Sequence, residues 1–318
     1  MGNTIGIDVG GTKVLGGVVD ENGKILATAR KETPRQGGAE LTRTIAETAK
    51  ELMEKFDVTS VGVSAAGFVS SDRKTMLATP NIADWNGVDL DSELTALIGL
   101  PVVIENDANA AAWGEAKFGA GRNQNHMMML TVGTGIGGGI VVNGSLYRGA
   151  YGIAAEFGHL RVVPEGHLCG CGARGCFEQY ASGTALLKAA RELADSDAPA
   201  GQRLRELREA AGELTGAQVY QAITEHDPGA LAILSDLGRW IGETIASLSA
   251  ILDPEVVVIG GGVSAAGDLL LEPIRAAFLE NMPAQGFRPE LEIKVAEFVN
   301  DAGVVGAADL VRVAWEQR

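Results

Sequence analysis

Apolar residues run through this chain in short stretches, closed again and again by glycine. The stretch TIGIDVG near the start predicts a strand, and GGTKVLGGVV predicts a second one after a tight glycine turn. Asp20-Glu21-Asn22-Gly23 then closes a hairpin onto KILATAR, with the Asn-Gly pair expected to supply positive φ angles. Leu41, Ile45, Leu52 and Phe56 recur at helical spacing, which predicts an amphipathic helix over 39–56. VTSVGVSAAG predicts a buried strand ending in glycine. Residues 91–98 predict a helix, PVVIEND a strand, and the alanine-rich stretch 108–118 another helix.

Near residue 130 the opening pattern returns. MMLTVGTGIGGGIVVNGSLYRG again gives strand, glycine turn and strand, and Asn143-Gly144 marks a second hairpin turn. Placing Gly10-Gly11-Thr12 over Gly133-Thr134-Gly135 brings Asn22-Gly23 close to Asn143-Gly144. A repeated supersecondary unit of this kind implies two related domains. Helices are expected at about 183–195, 203–211, 216–226 and 229–252, with 195–203 as a surface connection. The strand EVVVIGGGV, a helix from 268, the strand LEIKVAEF and a helix from 303 complete an α/β pattern.

Composition narrows the class. With 46% hydrophobic and 21% charged residues over 318 positions, the chain reads as a soluble globular protein of about two domains. No basic leader precedes the first apolar strand and no apolar run is long enough to span a bilayer, so a cytoplasmic protein is expected. A net charge of −15 disfavours nucleic acid or an anionic membrane surface as partner. A nucleotide stays compatible if it arrives with a metal ion and meets backbone N–H groups. The 43 glycines, about twice the usual share, point to loops where backbone comes close to a ligand.

The stretch HLCGCGARGCFEQY at 167–180 holds all three cysteines, Cys169, Cys171 and Cys176. An odd number of cysteines without an export signal is poor material for a disulfide framework. Thiolates at this spacing suit a soft metal. Three inert thiols are the plainer alternative, but scattered structural cysteines rarely share one glycine-rich loop. A structural zinc needs a fourth ligand, usually nitrogen. His167 and His159 are the nearest histidines, and spacing does not choose between them.

Gly10-Gly11-Thr12-Lys13, Gly133-Thr134-Gly135 and Gly260-Gly261-Gly262 each follow a strand. Such a turn lets a phosphate approach backbone N–H groups with no Cβ in the way. Each alone is usually just a turn, and none matches the phosphate loop with a lysine after its last glycine. Two of them facing each other could hold the ends of a triphosphate, and the third could pack against adenosine. Asp8, at the end of the first strand, could hold a magnesium ion through water, its alternative being to cap its own turn.

Asp8-Val9-Gly10-Gly11-Thr12-Lys13 resembles the first phosphate motif of the actin-like sugar kinases. Glu105-Asn106-Asp107, GTGIGGGIVVNGSLYRG, Glu156-Phe157-Gly158-His159 and CGCGARGCFE at 169–178 resemble one branch of them, the ROK family (repressors, open reading frames, kinases). These motifs stand in family order and cover the chain from residue 4 to beyond 260. The resemblance implies an actin-like ATPase (ribonuclease H-like) fold, two related α/β domains with a cleft between them. Residues 1–115 with 304–318 would form the small domain, and 116–303 the large one with a zinc loop at 159–178. Asp8, Gly10, Gly11, Thr12, Lys13, Gly133, Thr134, Gly135, Gly261 and Gly262 would serve ATP and magnesium. The zinc ligands it implies are His159, Cys169, Cys171 and Cys176, with His167 outside. Four protein ligands close such a site, so the zinc would be structural and would aim His159 and Glu178 at the sugar. Two departures stand out: Ala66 precedes Gly67 where the family commonly has proline, and Ala155 precedes Glu156 where glycine is common.

A sugar hydroxyl is a poor nucleophile at neutral pH, and a carboxylate must take its proton, typically for a gain of about 10²–10⁴-fold. Asp107, at the end of PVVIEND and the start of a helix, is the expected base; its plainer alternative is a helix cap. Asn106 is expected on an adjacent hydroxyl. Glu156, His159 and Glu178 would be the remaining sugar ligands, joined by Gly67 and Asn81 from the facing domain. The implied activity is ATP-dependent phosphorylation of glucose to glucose 6-phosphate. N-acetylmannosamine, N-acetylglucosamine, mannose or fructose are the alternative acceptors, and the acidic charge disfavours polyphosphate as an extra donor. A sugar-responsive repressor would need a DNA-binding helix-turn-helix ahead of the first phosphate strand, where only three residues precede Thr4. The family also implies a homodimer or homotetramer.

Overall fold

The computed structural model describes residues 2–35, 37–80, 82–287 and 289–316. Strands β1 (Asn3–Val9), β2 (Lys13–Val19) and β3 (Ile25–Glu32) form an antiparallel meander. Helix α1 (Gly37–Met53) leads to β4 (Val58–Ala65), which returns parallel to β1. A small sheet of β5 (Phe68–Val69), β6 (Thr75–Ala78) and β7 (Val88–Asp89) comes next, its strands too short for periodicity to announce. Helix α2 (Leu90–Ile98), strand β8 (Val102–Asn106), parallel to β4, and helix α3 (Asp107–Phe118) complete this part. The first large sheet has the order β3-β2-β1-β4-β8.

The second begins with β9 (Met127–Val132), β10 (Ile136–Val142) and β11 (Ser145–Tyr147). After the cysteine loop come α4 (Glu178–Ala181), α5 (Gly183–Asp195), α6 (Gln202–Ala211), α7 (Gly216–Thr224) and α8 (Pro228–Leu252). Strand β12 (Val256–Gly260), helix α9 (Asp268–Asn281), strand β13 (Glu292–Val295) and helix α10 (Ala302–Glu316) follow. The sheet order β11-β10-β9-β12-β13 repeats that of the first: third, second, first, fourth and fifth strand of the unit. The repeat expected from the two glycine turns is therefore a repeat of topology.

The two hairpin turns differ, however. Asn143 and Gly144 have φ 52° and 68°, as a primed two-residue turn requires. In the first hairpin only Gly23 is positive, at 77°. Oδ1 of Asp20 accepts the N–H groups of Asn22 and Lys24 there, both at 2.9 Å, so an aspartate-capped turn replaces the expected Asn-Gly geometry.

The chain divides into two compact units, one of residues 1–128, 138–155 and 297–318 and the other of 129–137 and 156–296. In the first, α10 lies directly on the sheet because Gly6 and Gly62 carry no side chain. A Cβ there would stand 1.8 Å from the Val304 carbonyl oxygen and 1.9 Å from that of Ala307. A buried polar clamp fastens the helix. Trp113 Nε1 donates to Asp309 at 2.9 Å, Arg312 Nη1 to the same carboxylate at 2.6 Å, and Arg312 Nη2 to Thr4 Oγ1 at 2.9 Å. The clamp thus fastens α10 to α3 through Trp113 and to the start of β1 through Thr4.

Candidate active site

The first unit gathers its candidate residues at the carboxyl ends of its parallel strands, where open α/β sheets place their ligands. Asp8 stands near the end of β1, and Ser64 of β4 donates its hydroxyl to Asp8 Oδ1 at 2.7 Å. Asn106 ends β8 and Asp107 opens α3. The capping role that competed for Asp107 falls to Asn106, whose Oδ1 accepts the Asn109 N–H at 3.0 Å. Asn106 Nδ2 donates to the Gly67 carbonyl and to Asp107 Oδ1, both at 3.1 Å. With both amide hydrogens used, the second lone pair of Oδ1 is what Asn106 still offers a ligand. Gly67 sits at φ 138°, and a Cβ there would meet the Ala78 carbonyl oxygen at 2.5 Å. Asn81 lies outside the described residues.

Burial holds the Asp107 carboxyl above the ordinary carboxylate range, and the charge of Asp8 pushes the same way. Hydrogen bonds from Ala108 and Asn106 oppose them. Asp8 is also raised, first by burial, against the Ser64 hydrogen bond and the Lys13 charge. A half-buried carboxylate in the field of a lysine suits a hydrated cation, which would offset that penalty. The turn beside it is open: a Cβ on Gly11 would meet nothing within 4 Å.

In the second unit, Gly133, Thr134 and Gly262 line one cavity of about 590 Å³. A Cβ on Gly133 or Gly262 would also meet nothing within 4 Å, so packing does not require glycine at either position. Gly261 differs, with φ 83° and the Val132 carbonyl oxygen 2.5 Å from where its Cβ would stand. Thr184 Oγ1 donates to the Thr134 carbonyl at 2.6 Å and the Gly183 N–H to that of Gly133 at 2.7 Å, which seats the start of α5 against this turn. Sequence reasoning missed the cavity's apolar wall, including Ala217, Tyr220 and Ala265, because these residues carry no motif. Glu178 connects to the same turn: its Oε2 accepts the Ile136 N–H at 2.9 Å, and a Cβ on Gly135 would stand 2.3 Å from that oxygen.

His159, Cys169, Cys171 and Cys176 present ligand atoms all within 4.8 Å of one another. Cys171 and Cys176 sulfurs are 3.7 Å apart, and Cys169 Sγ is 3.7 Å from His159 Nδ1. A tetrahedral zinc with bonds of about 2.3 Å to sulfur sets its ligand atoms about 3.6–3.8 Å apart, so this donor set fits the metal. Burial and the neighbouring sulfurs push the Cys176 thiol up to about 12, a penalty on ionisation that a cation removes. His167 stands apart from the four. Its backbone N–H donates to the Tyr180 hydroxyl at 2.9 Å, and Tyr180 packs at a 41° tilt against Trp240 with ring centres 4.9 Å apart.

A family profile described as ROK family matches residues 4–314. The chain belongs to the ROK family. Its fold is accordingly the actin-like ATPase fold, doubled as the two sheets show. Among ROK relatives, the glucokinase of Streptomyces coelicolor is 44% identical over 313 residues, 98% of each chain. That of Thermotoga maritima is 37% identical over 310 residues, covering 97% of this chain and 96% of its own. A crystal structure of a ROK family glucokinase from Streptomyces griseus, in complex with glucose and AMPPNP, shares 43% identity at a TM-score of 0.87. The match covers 98% of this chain and 100% of that one. Among the described residues no helix is long and apolar enough to cross a membrane.

Proposed function

We propose that this chain is a glucokinase, moving the γ-phosphoryl group of ATP to the 6-hydroxyl of glucose. One observation carries the reading. Asp107, raised in pKa and fixed by Asn106, stands at the strand ends of a chain 43% identical along 98% of its length to a glucokinase bound to glucose and AMPPNP.

Asp107 takes the hydroxyl proton as the sugar oxygen forms its bond to the γ-phosphorus, and the bond from that phosphorus to the bridging oxygen of ADP breaks. Both hydrogen bonds described above land on Oδ1 of Asp107, so Oδ2 is assigned to the substrate. Gly67, Asn81, Asn106, Glu156, His159 and Glu178 are proposed as sugar ligands. His159 has a nitrogen for each task, since Nδ1 faces Cys169 and Nε2 remains. Gly10, Gly11, Thr12, Lys13, Gly133, Thr134, Gly135, Gly261 and Gly262 are proposed for the nucleotide, with adenosine in the cavity beside Tyr220. Magnesium, for which Asp8 is the proposed partner, supplies charge neutralisation to the triphosphate when bound. Zinc on His159, Cys169, Cys171 and Cys176 is structural and shapes the loop ahead of Glu178.

The proposal extends to a reducing, cytoplasmic compartment, which favours three unpaired thiols, and to a homodimer or homotetramer. Its functional domains are proposed as 1–115 with 304–318, and 116–303, bounds that differ from the two compact units by assigning 116–128, 138–155 and 297–303 to the second. An ADP-release assay across a panel of hexoses, with ATP and polyphosphate as donors, tests the reading; glucose with ATP is expected to give the highest kcat/KM. Asp107→Ala should fold and bind glucose, with turnover at least about 10² lower. Near-normal turnover in that variant removes Asp107 from the mechanism.

A further inference from the structure

Glu105 directly precedes the Asn106–Asp107 corner and is 1% exposed, an unusual place for a carboxyl side chain. Its Oε1 accepts the Asn106 N–H at 3.0 Å and an Asn109 Nδ2 hydrogen at 3.3 Å. Two guanidinium groups close on the other side. Arg148 Nε lies 3.1 Å from Oε1 and 2.9 Å from Oε2, and Arg73 Nε lies 3.0 Å from Oε2.

Arg148 then reaches past the carboxylate. Its Nη1 donates to the Ser71 carbonyl at 2.8 Å, and its Nη2 to those of Ser70 at 3.1 Å and Val69 at 3.4 Å. These carbonyls follow closely on Gly67, whose own carbonyl accepts from Asn106. Segment 67–71 is therefore tied to the Asn106–Asp107 corner twice, once through Asn106 itself and once through Glu105 and Arg148. Backbone pairing of β8 with β4 already fixes the strand end, with Asn106 opposite Ala65. Burying a carboxylate between two arginines adds nothing that the ladder needs, and desolvating three charges is costly. What the ion pairs do add is the position of segment 67–71. A planar guanidinium can serve a carboxylate and several carbonyls together, which a lysine ammonium cannot.

We propose that Glu105 and Arg148 are positioning residues for the sugar side of the reaction, holding segment 67–71 against the end of β8 so that Gly67 and Asn106 meet the acceptor preset. The kinetic part of this inference rests on the glucokinase reading; the tether itself does not.

Arg148→Met keeps the apolar stem and removes the fork. It is expected to raise KM for glucose about tenfold, with KM for ATP within about twofold and kcat changing less than the glucose KM. Amide hydrogen exchange should quicken over 68–73 and stay unchanged over 256–260. Arg148→Lys should restore little of the glucose KM. In Glu105→Gln/Arg148→Met the glucose KM should be no worse than in the poorer single variant, because Glu105→Gln already weakens the tie that Arg148→Met removes, along with the one to Arg73. Glucose KM within twofold of wild type in folded Arg148→Met overturns the proposal, as does an equal loss of affinity for both substrates. If Arg148→Met does not fold, exchange in Arg148→Lys decides, and unchanged protection over 68–73 overturns the tether. Wild-type protein inactive on every hexose would instead remove the glucokinase reading and leave the exchange result to stand by itself.

Discussion

The amide of Asn106 donates from Nδ2 to Oδ1 of Asp107 at 3.1 Å, while its Oδ1 caps the helix that Asp107 begins. One side chain thus orients the proposed base and anchors it to the scaffold. The arrangement sets two demands against each other. Burial favours the protonated carboxyl, whereas catalysis needs the carboxylate.

Asp107→Asn should therefore separate stability from activity. The folded-state pKa of Asp107 lies above its unfolded value, so its stabilising contribution is full below the unfolded pKa and is lost as pH rises through the folded one. At neutral pH the ionised side chain is a liability that asparagine lacks, and the amide oxygen can still accept from Ala108 and Asn106. The variant is expected to melt above wild type at pH 7, with the gap closing toward about pH 4. Turnover should fall by at least about 10². Melting curves across that range, beside a coupled assay, measure both; a variant no more stable at pH 7 would contradict the burial penalty.

The cysteine loop makes a prediction whose first readout is metal content. Purified protein is expected to carry about one zinc per chain. Cys171 is exposed, so Cys171→Ser removes a ligand with little loss of packing. Competition with a chromophoric chelator should show zinc held at least about tenfold more weakly in the variant, and the glucose KM should rise more than that for ATP. Metal-free wild-type protein with full activity would end the structural role.

Much of this architecture is legible in the sequence because its causes are local. A strand closed by glycine needs only its own residues, and both meanders follow that pattern. The motif Glu105-Asn106-Asp107 likewise marks the end of a strand and the start of a helix within a few positions. Long-range partners are what the sequence hides. Arg73 and Arg148 look like ordinary surface residues until the sheets bring them to Glu105. Gly6 and Gly62 stand among 43 glycines, and only the path of α10 shows that these two make room for a helix. Even a local signal can lose to a neighbour, as Asn22 loses its turn to the side chain of Asp20.

Ala155 supplies the last prediction. Its φ of 69° lies in the left-handed region, where an alanine Cβ crowds the following carbonyl at a cost of about 1 kcal/mol. The residue leads directly into Glu156 and the short turn Phe157–His159, which carry a proposed sugar ligand and a proposed zinc ligand. Ala155→Gly removes the crowding but gives the unfolded chain more freedom, which offsets roughly half of the gain. A rise in Tm of about 1–2 °C is expected, small because the chain is long. The same freedom loosens the approach to Glu156 before sugar binds, so the glucose KM should rise about twofold with kcat unchanged. A fall in Tm would mean that position 155 does not hold the left-handed conformation in solution, and the strain argument would fail with it.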